Sequence, residues 1–385
     1  MKIAVIAGTI GGIVGFRLDM MLAFKSRGHE VVAVSALEKP SLKKILDEHN
    51  IRFKQINVDR KSVNPFKEFS LVREIKSFLK AERFDAVIAF TPKMATYATI
   101  AAMLAGVKKR IAVFTGLGYA FAQNSLWGLM RRIPFVFIYG LGMRCASNVI
   151  FQNIDDKKTA EKLLMTAASK SAIMNGSGVN LEKFPYSTPP ENKIVFTFVG
   201  RLIKDKGIHE FLYASKKIKE LQPDVKIVIL GAPDNNPSSI DENEFNKIKN
   251  DGKIECMGFV SDVVKYITET SVAVLPSYRE GCPHSMLEAM SIGRALILAD
   301  APGTRVPLAL TEKGKRQQKM GATVIEGENG FLVRPRDGDA IVDAMKCFIE
   351  NPALITSMGY KSRKLAEEKF DVDKVNAFLL SILES

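Results

Sequence analysis

Short aliphatic runs recur along this chain with almost no polar alternation, and an amphipathic segment follows most of them. KIAVIA (2–7), EVVAVS (30–35), AVIAF (86–90), IAVF (111–114) and NVIF (148–151) form one series, with helical spacing over 16–27, 40–48, 67–81 and 95–105. The series then begins again with KIVFTFV (193–199), VKIVIL (225–230), SVAVL (271–275) and ALIL (295–298), and helices are predicted over 207–221 and 284–292. A strand that is apolar on both faces must be covered on both, as in a parallel sheet between two helix layers. Two doubly wound, Rossmann-like α/β domains are therefore expected. A chain of 385 residues also exceeds what one core of ordinary size holds. Prolines and polar residues interrupt both periods in NLEKFPYSTPPENK (180–193). The expected domains are 1–183 and 184–369, facing a cleft.

Cys145, Cys256, Cys282 and Cys347 show no C-x-x-C spacing, which speaks against a disulfide framework or a structural zinc site and for a reducing cytosol. Lys2 ahead of an apolar run imitates a secretory leader. Glycines interrupt that run, however, Arg17 and Asp19 close it, and no A-x-A follows. IPFVFIYGLGM (133–143), flanked by Arg131, Arg132 and Arg144, is too short to span a bilayer. A helix buried in the core is the expectation there, with dipping into a membrane interface as the alternative. The charge is uneven: residues 1–190 hold 28 Lys and Arg against 14 Asp and Glu, and the remainder 27 against 28. A basic first half suits an anionic lipid surface or phosphate, and no nucleic-acid-binding signature accompanies it.

Three strand–loop–helix junctions carry candidate chemistry. In AGTIGG (7–12), Gly8, Gly11 and Gly12 let a backbone approach a diphosphate ahead of a helix expected near Phe16, although the spacing is not G-x-G-x-x-G. A plain tight turn is the alternative. In FVGRLIKDKGIHEF (198–211), Arg201 and Lys206 join a planar fork to a mobile point charge, a pair suited to a pyrophosphate. In PSYREGCPHSMLEAMSIG (276–293), Glu280 lies in the loop and Glu288 one turn into the helix, whose first N–H groups, His284 to Met286, are expected to face phosphate oxygens. Ionised carboxylates only accept hydrogen bonds, so they match sugar hydroxyls that donate.

G-R-x-x-x-x-K-G at 200–207 and E-G-x-P-x-S-x-L-E at 280–288 resemble glycosyltransferase family 4, the retaining transferases of GT-B fold. SVNPF (62–66), TGLGYAF (115–121) and LPSYREG (275–281) are similar to bacterial transferases that extend undecaprenyl-diphosphate-linked saccharides. The resemblance implies a UDP-sugar donor, often N-acetylated, a lipid-linked acceptor, no metal or other cofactor, and action at the inner face of the cell membrane. It assigns catalysis to Glu280, Arg201 and Lys206. The donor side comprises Gly11, Gly12, Gly200, Arg201, Lys206, Gly231, Val260, Glu280, Gly281, Cys282, Pro283 and Glu288, with Glu288 on the ribose and Glu280 on the sugar. The acceptor side comprises Lys93, Gly116, Tyr119, Arg131 and Arg132. The tail KFDVDKVNAFLLSILES, from about 370 to 385, would return to the first domain.

The chain departs from that family in one respect. Many relatives carry a histidine after an N-terminal-domain strand, where this sequence reads AFTPKMATYA (89–98), and none of His29, His49, His209 and His284 falls there. Lys93 is the candidate in its place. DVD (371–373) and DGD (337–339) read better as caps or solvated turns than as a metal-binding Asp-x-Asp. Two rivals stay open at this point. One is an enzyme like UDP-N-acetylglucosamine 2-epimerase, whose carboxylate and histidine set cannot be placed here. The other is a noncatalytic nucleotide-sugar-binding protein.

Overall fold

The computed structural model describes residues 1–37, 39–59, 64–118, 121, 126–163, 165–234 and 238–385, with the side chains of 126–129 and 131 outside that description. The chain divides into two compact units, Met1–Ser177 with Val372–Ser385, and Gly178–Asp371. The division falls a few residues ahead of the boundary read from the sequence.

In the first unit, β1 (Lys2–Ile6), α1 (Ile10–Ser26), β2 (Glu30–Ser35), α2 (Pro40–Glu48), β3 (Arg52–Gln55) and α3 (Pro65–Glu82) are followed by β4 (Ala86–Phe90) and α4 (Pro92–Leu104). Then come β5 (Lys109–Phe114), α5 (Leu126–Cys145), β6 (Asn148–Phe151), α6 (Ile154–Lys162) and β7 (Ser171–Ile173). Seven parallel strands run in the order β3-β2-β1-β4-β5-β6-β7. The two-residue period sorts β1 between layers: Ile3 and Val5 pack with α1, whereas Ala4 and Ile6 pack with α3 and α4. Thr9 caps α1 by accepting the Gly12 N–H at 2.9 Å, so the helix starts at Ile10 rather than near Phe16. Gly11 and Gly12 accordingly lie in its first turn, where the cap and the burial of Ile10 and Ile13 outweigh poor glycine propensity.

The second unit repeats the pattern. Its elements are β8 (Val195–Val199), α7 (Ile208–Leu221), β9 (Lys226–Leu230), α8 (Glu242–Asn250), β10 (Glu255–Gly258), α9 (Val263–Thr268), β11 (Val272–Leu275) and α10 (His284–Ile292). They continue with β12 (Ala295–Ala299), α11 (Glu312–Lys319), β13 (Val324–Glu326), β14 (Gly330–Val333), α12 (Gly338–Glu350) and α13 (Ala353–Leu365). The strand order is β10-β9-β8-β11-β12-β14-β13, parallel except for the edge strand β13. Asp337 of the DGD stretch caps α12 by accepting the Ala340 N–H at 3.0 Å. The last helix, α14 (Val372–Glu384), belongs to the first unit, where Val375, Leu379, Leu380 and Leu383 join α1 in one buried cluster. Each of these side chains contributes roughly 1.5–3 kcal/mol of apolar burial.

The expectation of a helix buried in the core over 133–143 is corrected. One face of α5 packs on α4, where Gly142 sits so close that a Cβ would lie 2.6 Å from Thr96 Cα. The opposite face leaves Met130, Ile133, Phe137, Ile138 and Leu141 exposed, because the helix lies on the outside of the sheet with nothing stacked over it among the described residues.

Candidate functional site

In the second unit the strand order reverses between β8 and β11, which are hydrogen-bonded neighbours. Loops leaving adjacent carboxyl ends at such a reversal part to opposite sides and open a crevice. The sequence laces those two loops together. The Asp205 carbonyl accepts the Tyr278 N–H at 2.9 Å and the Ser277 hydroxyl at 3.0 Å. Gly207, at φ +75°, lies so close that a Cβ would meet the Pro276 carbonyl oxygen at 2.4 Å. Only glycine suits both the angle and the approach. The lacing brings Lys206 Nζ onto Glu280 Oε1, with both side chains mostly buried. Lys206 and Glu280 lie 74 positions apart in sequence and form a direct ion pair.

Glu280 is held from its other side as well. Its N–H donates to the Pro302 carbonyl at 3.0 Å, and Gly303, at φ +74°, passes so near that a Cβ would lie 1.9 Å from the Glu280 carbonyl oxygen. Thr304 donates to the Ser277 carbonyl at 3.0 Å. Tyr278 donates to Glu210 Oε1 at 2.6 Å, and the Arg336 guanidinium stands 4.6 Å from the centre of its ring. Burial, and then the Glu210 hydrogen bond, push the Tyr278 phenol well above its ordinary pKa. Asp205, Tyr278, Glu210 and Gly303 were not singled out from sequence; the only available signal was their adjacency to the two motifs.

The entrance of α10 follows directly. Pro283 occupies the cap position without a side-chain acceptor, and Ser285 donates its hydroxyl to the Val199 carbonyl at 3.1 Å, tying the helix start to the end of β8. The sequence places Met286 among the available N–H groups, but it donates to the Pro283 carbonyl at 3.0 Å, because the first turn closes on itself. Glu288 Oε1 lies 3.1 Å from His284 Nδ1, one helical turn away. Gly281 is buried, and burial followed by the nearby Glu280 charge raises the Cys282 thiol above its ordinary pKa.

The remaining donor-side residues separate into contacts and spacers. Arg201 pairs with Asp234 at 2.8 Å and stays half exposed, engaged apart from the Lys206–Glu280 pair. Gly200 and Gly231 serve a close backbone crossing, since a Cβ on Gly231 would lie 1.8 Å from the Gly200 carbonyl oxygen. Val260 is half-buried beyond β10.

In the first unit the acceptor-side residues are not gathered by any direct contact among the described residues. Lys93 is ion-paired with the buried Glu68 at 2.6 Å and donates to the Asp59 carbonyl at 2.6 Å. Gly116 is buried at φ +114°, next to Leu117, whose N–H donates to the buried Asp156 at 3.2 Å. The Arg132 guanidinium lies 5.2 Å from the centre of the Phe121 ring. Arg131 lies in α5 with its side chain outside the described residues, and Tyr119 lies outside them altogether.

Comparison with known proteins bears on both units. A family model described as "Glycosyl transferases group 1" matches residues 193–351, and one described as "Glycosyl transferase 4-like" matches residues 12–153. The chain is 26% identical over 316 residues to the N,N'-diacetylbacillosaminyl-diphospho-undecaprenol alpha-1,3-N-acetylgalactosaminyltransferase of Campylobacter jejuni, covering 79% of this chain and 81% of that one. It is 25% identical over 352 residues to the capsular polysaccharide biosynthesis glycosyltransferase CapM of Staphylococcus aureus, covering 85% and 87%. Its fold matches the crystal structure of Anabaena Alr3699/HepE in complex with UDP, with a TM-score of 0.76 at 17% identity over the full length of both chains.

Proposed function

Because this chain belongs to glycosyltransferase family 4, we propose that it moves a hexose, in particular an N-acetylhexosamine, from a UDP-sugar to a polyprenyl-diphosphate-linked saccharide. The observation that carries this reading is the Lys206–Glu280 pair at the crevice of the second unit, beside the entrance of α10. A carboxylate and an ammonium held side by side, largely out of water, can receive a ligand with hydroxyls next to an anionic leaving group. Glu280 accepts hydrogen bonds from the sugar, and Glu288 accepts them from the ribose. Lys206 and Arg201 turn toward the diphosphate, where charge grows as the bond breaks.

In the retaining course, the bond from the anomeric carbon to the β-phosphate oxygen breaks and the acceptor hydroxyl forms its bond on the same face. Its proton passes to the departing phosphate oxygen. The positive groups named above stabilise that oxygen, and this reading assigns no role to a metal. Lys206 exchanges part of its contact with Glu280 for the phosphate, so the pair is a resting arrangement for both groups. Names of the relatives favour transfer over epimerisation.

No helix among the described residues is long and apolar enough to cross a membrane. The exposed stripe on α5, with Phe137 at 73% exposure, and Phe66 at 85% on α3 support docking at a membrane surface. The charge agrees: the first unit carries 28 Lys and Arg against 15 Asp and Glu, the second 27 against 27. An anionic inner leaflet is the partner that fits.

The test incubates the protein with a panel of radiolabelled UDP-sugars and a membrane lipid extract. One label entering the organic phase, and its loss in Glu280→Gln, supports the reading. Interconversion of UDP-sugars without acceptor would establish the epimerase instead, and UDP binding without turnover the noncatalytic protein.

A further inference from the structure

Arg17 occupies a position that an apolar residue would normally take. Its neighbours on the buried face of α1 are Ile10, Ile13, Met20, Met21 and Phe24, and Arg17 itself is only 7% exposed. Its guanidinium stacks 3.9 Å from the centre of the Phe90 ring. Phe90 ends β4, and the pairing of Ile6 with Ala89 sets it level with Ala7, where β1 runs out. The first sheet reverses its strand order between these two strands. Arg17 therefore stands at the crevice of the first unit, the counterpart of the position that Lys206 and Glu280 take in the second.

Its hydrogen bonding is incomplete. Nη1 donates to the Ser177 hydroxyl at 2.7 Å and to the Phe16 carbonyl at 3.2 Å, and no aspartate or glutamate among the described residues pairs with it. Nε and Nη2 have no acceptor among the described residues. The other deeply buried arginine, Arg294, shows what a structural role looks like. Its five donor contacts engage the carbonyls of Ile267, Thr268, Ser187 and Gly293 and the Ser187 hydroxyl. Burial pulls the Arg17 pKa down to about 9, so the site disfavours the cation it holds. A buried cation without counter-charge is costly unless a ligand brings the charge. Side chains on a helix lean toward its N-terminus, which aims the guanidinium back along α1 toward the Gly8–Gly12 turn. The fork of free donors matches phosphate oxygens.

We propose that Arg17 is an anion-binding residue of the first unit and holds a phosphate group of a diphosphate substrate at the β1/β4 crevice. Which diphosphate this is, the nucleotide's or the lipid's, rests on the transferase reading; the anion site itself does not.

The experiment compares the full-length protein with Arg17→Met and Arg17→Lys by calorimetric titration with UDP, farnesyl diphosphate and inorganic pyrophosphate. Thermal unfolding without ligand is measured alongside. Arg17→Met is expected to unfold at the same temperature or higher, and to bind inorganic pyrophosphate and one of the two organic diphosphates at least tenfold more weakly. The other diphosphate should stay within about twofold. Loss of UDP binding identifies the nucleotide as the occupant, and loss of farnesyl diphosphate binding the lipid. Arg17→Lys keeps the charge but not the fork, and is expected to lose three- to tenfold for the same ligand. If Arg17→Met lowers the unfolding temperature and leaves all affinities unchanged, the residue is structural and the proposal falls while the transferase reading stands. If Arg17→Met fails to fold, unchanged affinities in Arg17→Lys overturn the proposal. Failure of the wild-type protein to bind any of the three ligands overturns both.

Discussion

Replacing Gly303 by alanine tests whether the backbone crossing beneath Glu280 sets the geometry of the candidate site. The new Cβ would lie 1.9 Å from the Glu280 carbonyl oxygen, where contact normally begins near about 3.4 Å, so the Glu280 loop must shift by about 1.5 Å. At φ +74° the alanine also bears roughly 1–2 kcal/mol of left-handed strain. With overpacking of roughly 1–3 kcal/mol, the total is about 2–5 kcal/mol. For a unit of this size that lowers the unfolding midpoint by about 4–20 °C. Gly252→Ala is the control, because Gly252 has φ +69° but open space around it. It isolates the strain and should cost about 2–8 °C. A misplacement near 1 Å costs about a hundredfold in turnover, so Gly303→Ala should lose about that factor in lipid labelling while Gly252→Ala retains wild-type rates. If the two variants unfold alike and both turn over normally, the contact does not position Glu280.

Three further outcomes are expected. Phe137→Ser with Leu141→Ser on α5 should reduce co-sedimentation with anionic vesicles by about tenfold and leave UDP binding intact; unchanged sedimentation would exclude α5 as the docking face. Arg294→Met strips the donors from the carbonyls of Ile267, Thr268 and Ser187 and, at about 1–3 kcal/mol for each acceptor left unsatisfied, should destabilise by at least about 3 kcal/mol in urea unfolding; a neutral result would refute the satisfied-arginine argument. Glu82, hydrogen-bonded first by Arg52 and then by Lys2, is held at about 2 against its ordinary 4.5. A depressed carboxylate stabilises above its unfolded-state pKa, so the advantage over Glu82→Gln should be full at neutral pH and fade from about pH 4.5 toward pH 2. A constant difference across that range would contradict the assignment.

The interior strands were legible because their message is redundant. Apart from Lys2 at the start of β1 and the buried Thr197 of β8, whose hydroxyl pairs with Thr270, the residues of β1, β4, β8 and β11 are apolar, so the aliphatic run survives whichever face is considered. Arg52–Gln55, Ser171–Ile173 and Glu255–Gly258 are silent in the sequence because they are edge strands that remain half exposed, and their residues carry no such run. The start of α1 was placed too late because glycines argue against a helix locally. The compensating terms, the Thr9 cap and the burial of Ile10 and Ile13, are respectively a weak sequence signal and a tertiary one. The exposed face of α5 was misread for a related reason: an apolar segment between arginines does not tell whether protein or lipid covers it.

The site was legible where side chains carry the chemistry and opaque where backbone does. Lys206 and Glu280 could be proposed because an ammonium and a carboxylate next to strand ends have few other uses. That they touch follows from a carbonyl at Asp205 and two glycines at positive φ, Gly207 and Gly303, none of which announces its partner in sequence. Arg17 is the converse case. An arginine on an otherwise apolar helical face looks like a surface residue until the strand order shows Phe90 beneath it and the reversal of the sheet beside it. Both crevices thus hold a cation that the local pattern left uninterpreted or half-interpreted, because strand order, and not sequence proximity, decides which loops share a ligand. In the second unit the cation has a carboxylate at hand and rests paired. In the first it has none among the described residues, so the charge of a bound diphosphate would supply the balance that the protein itself leaves open.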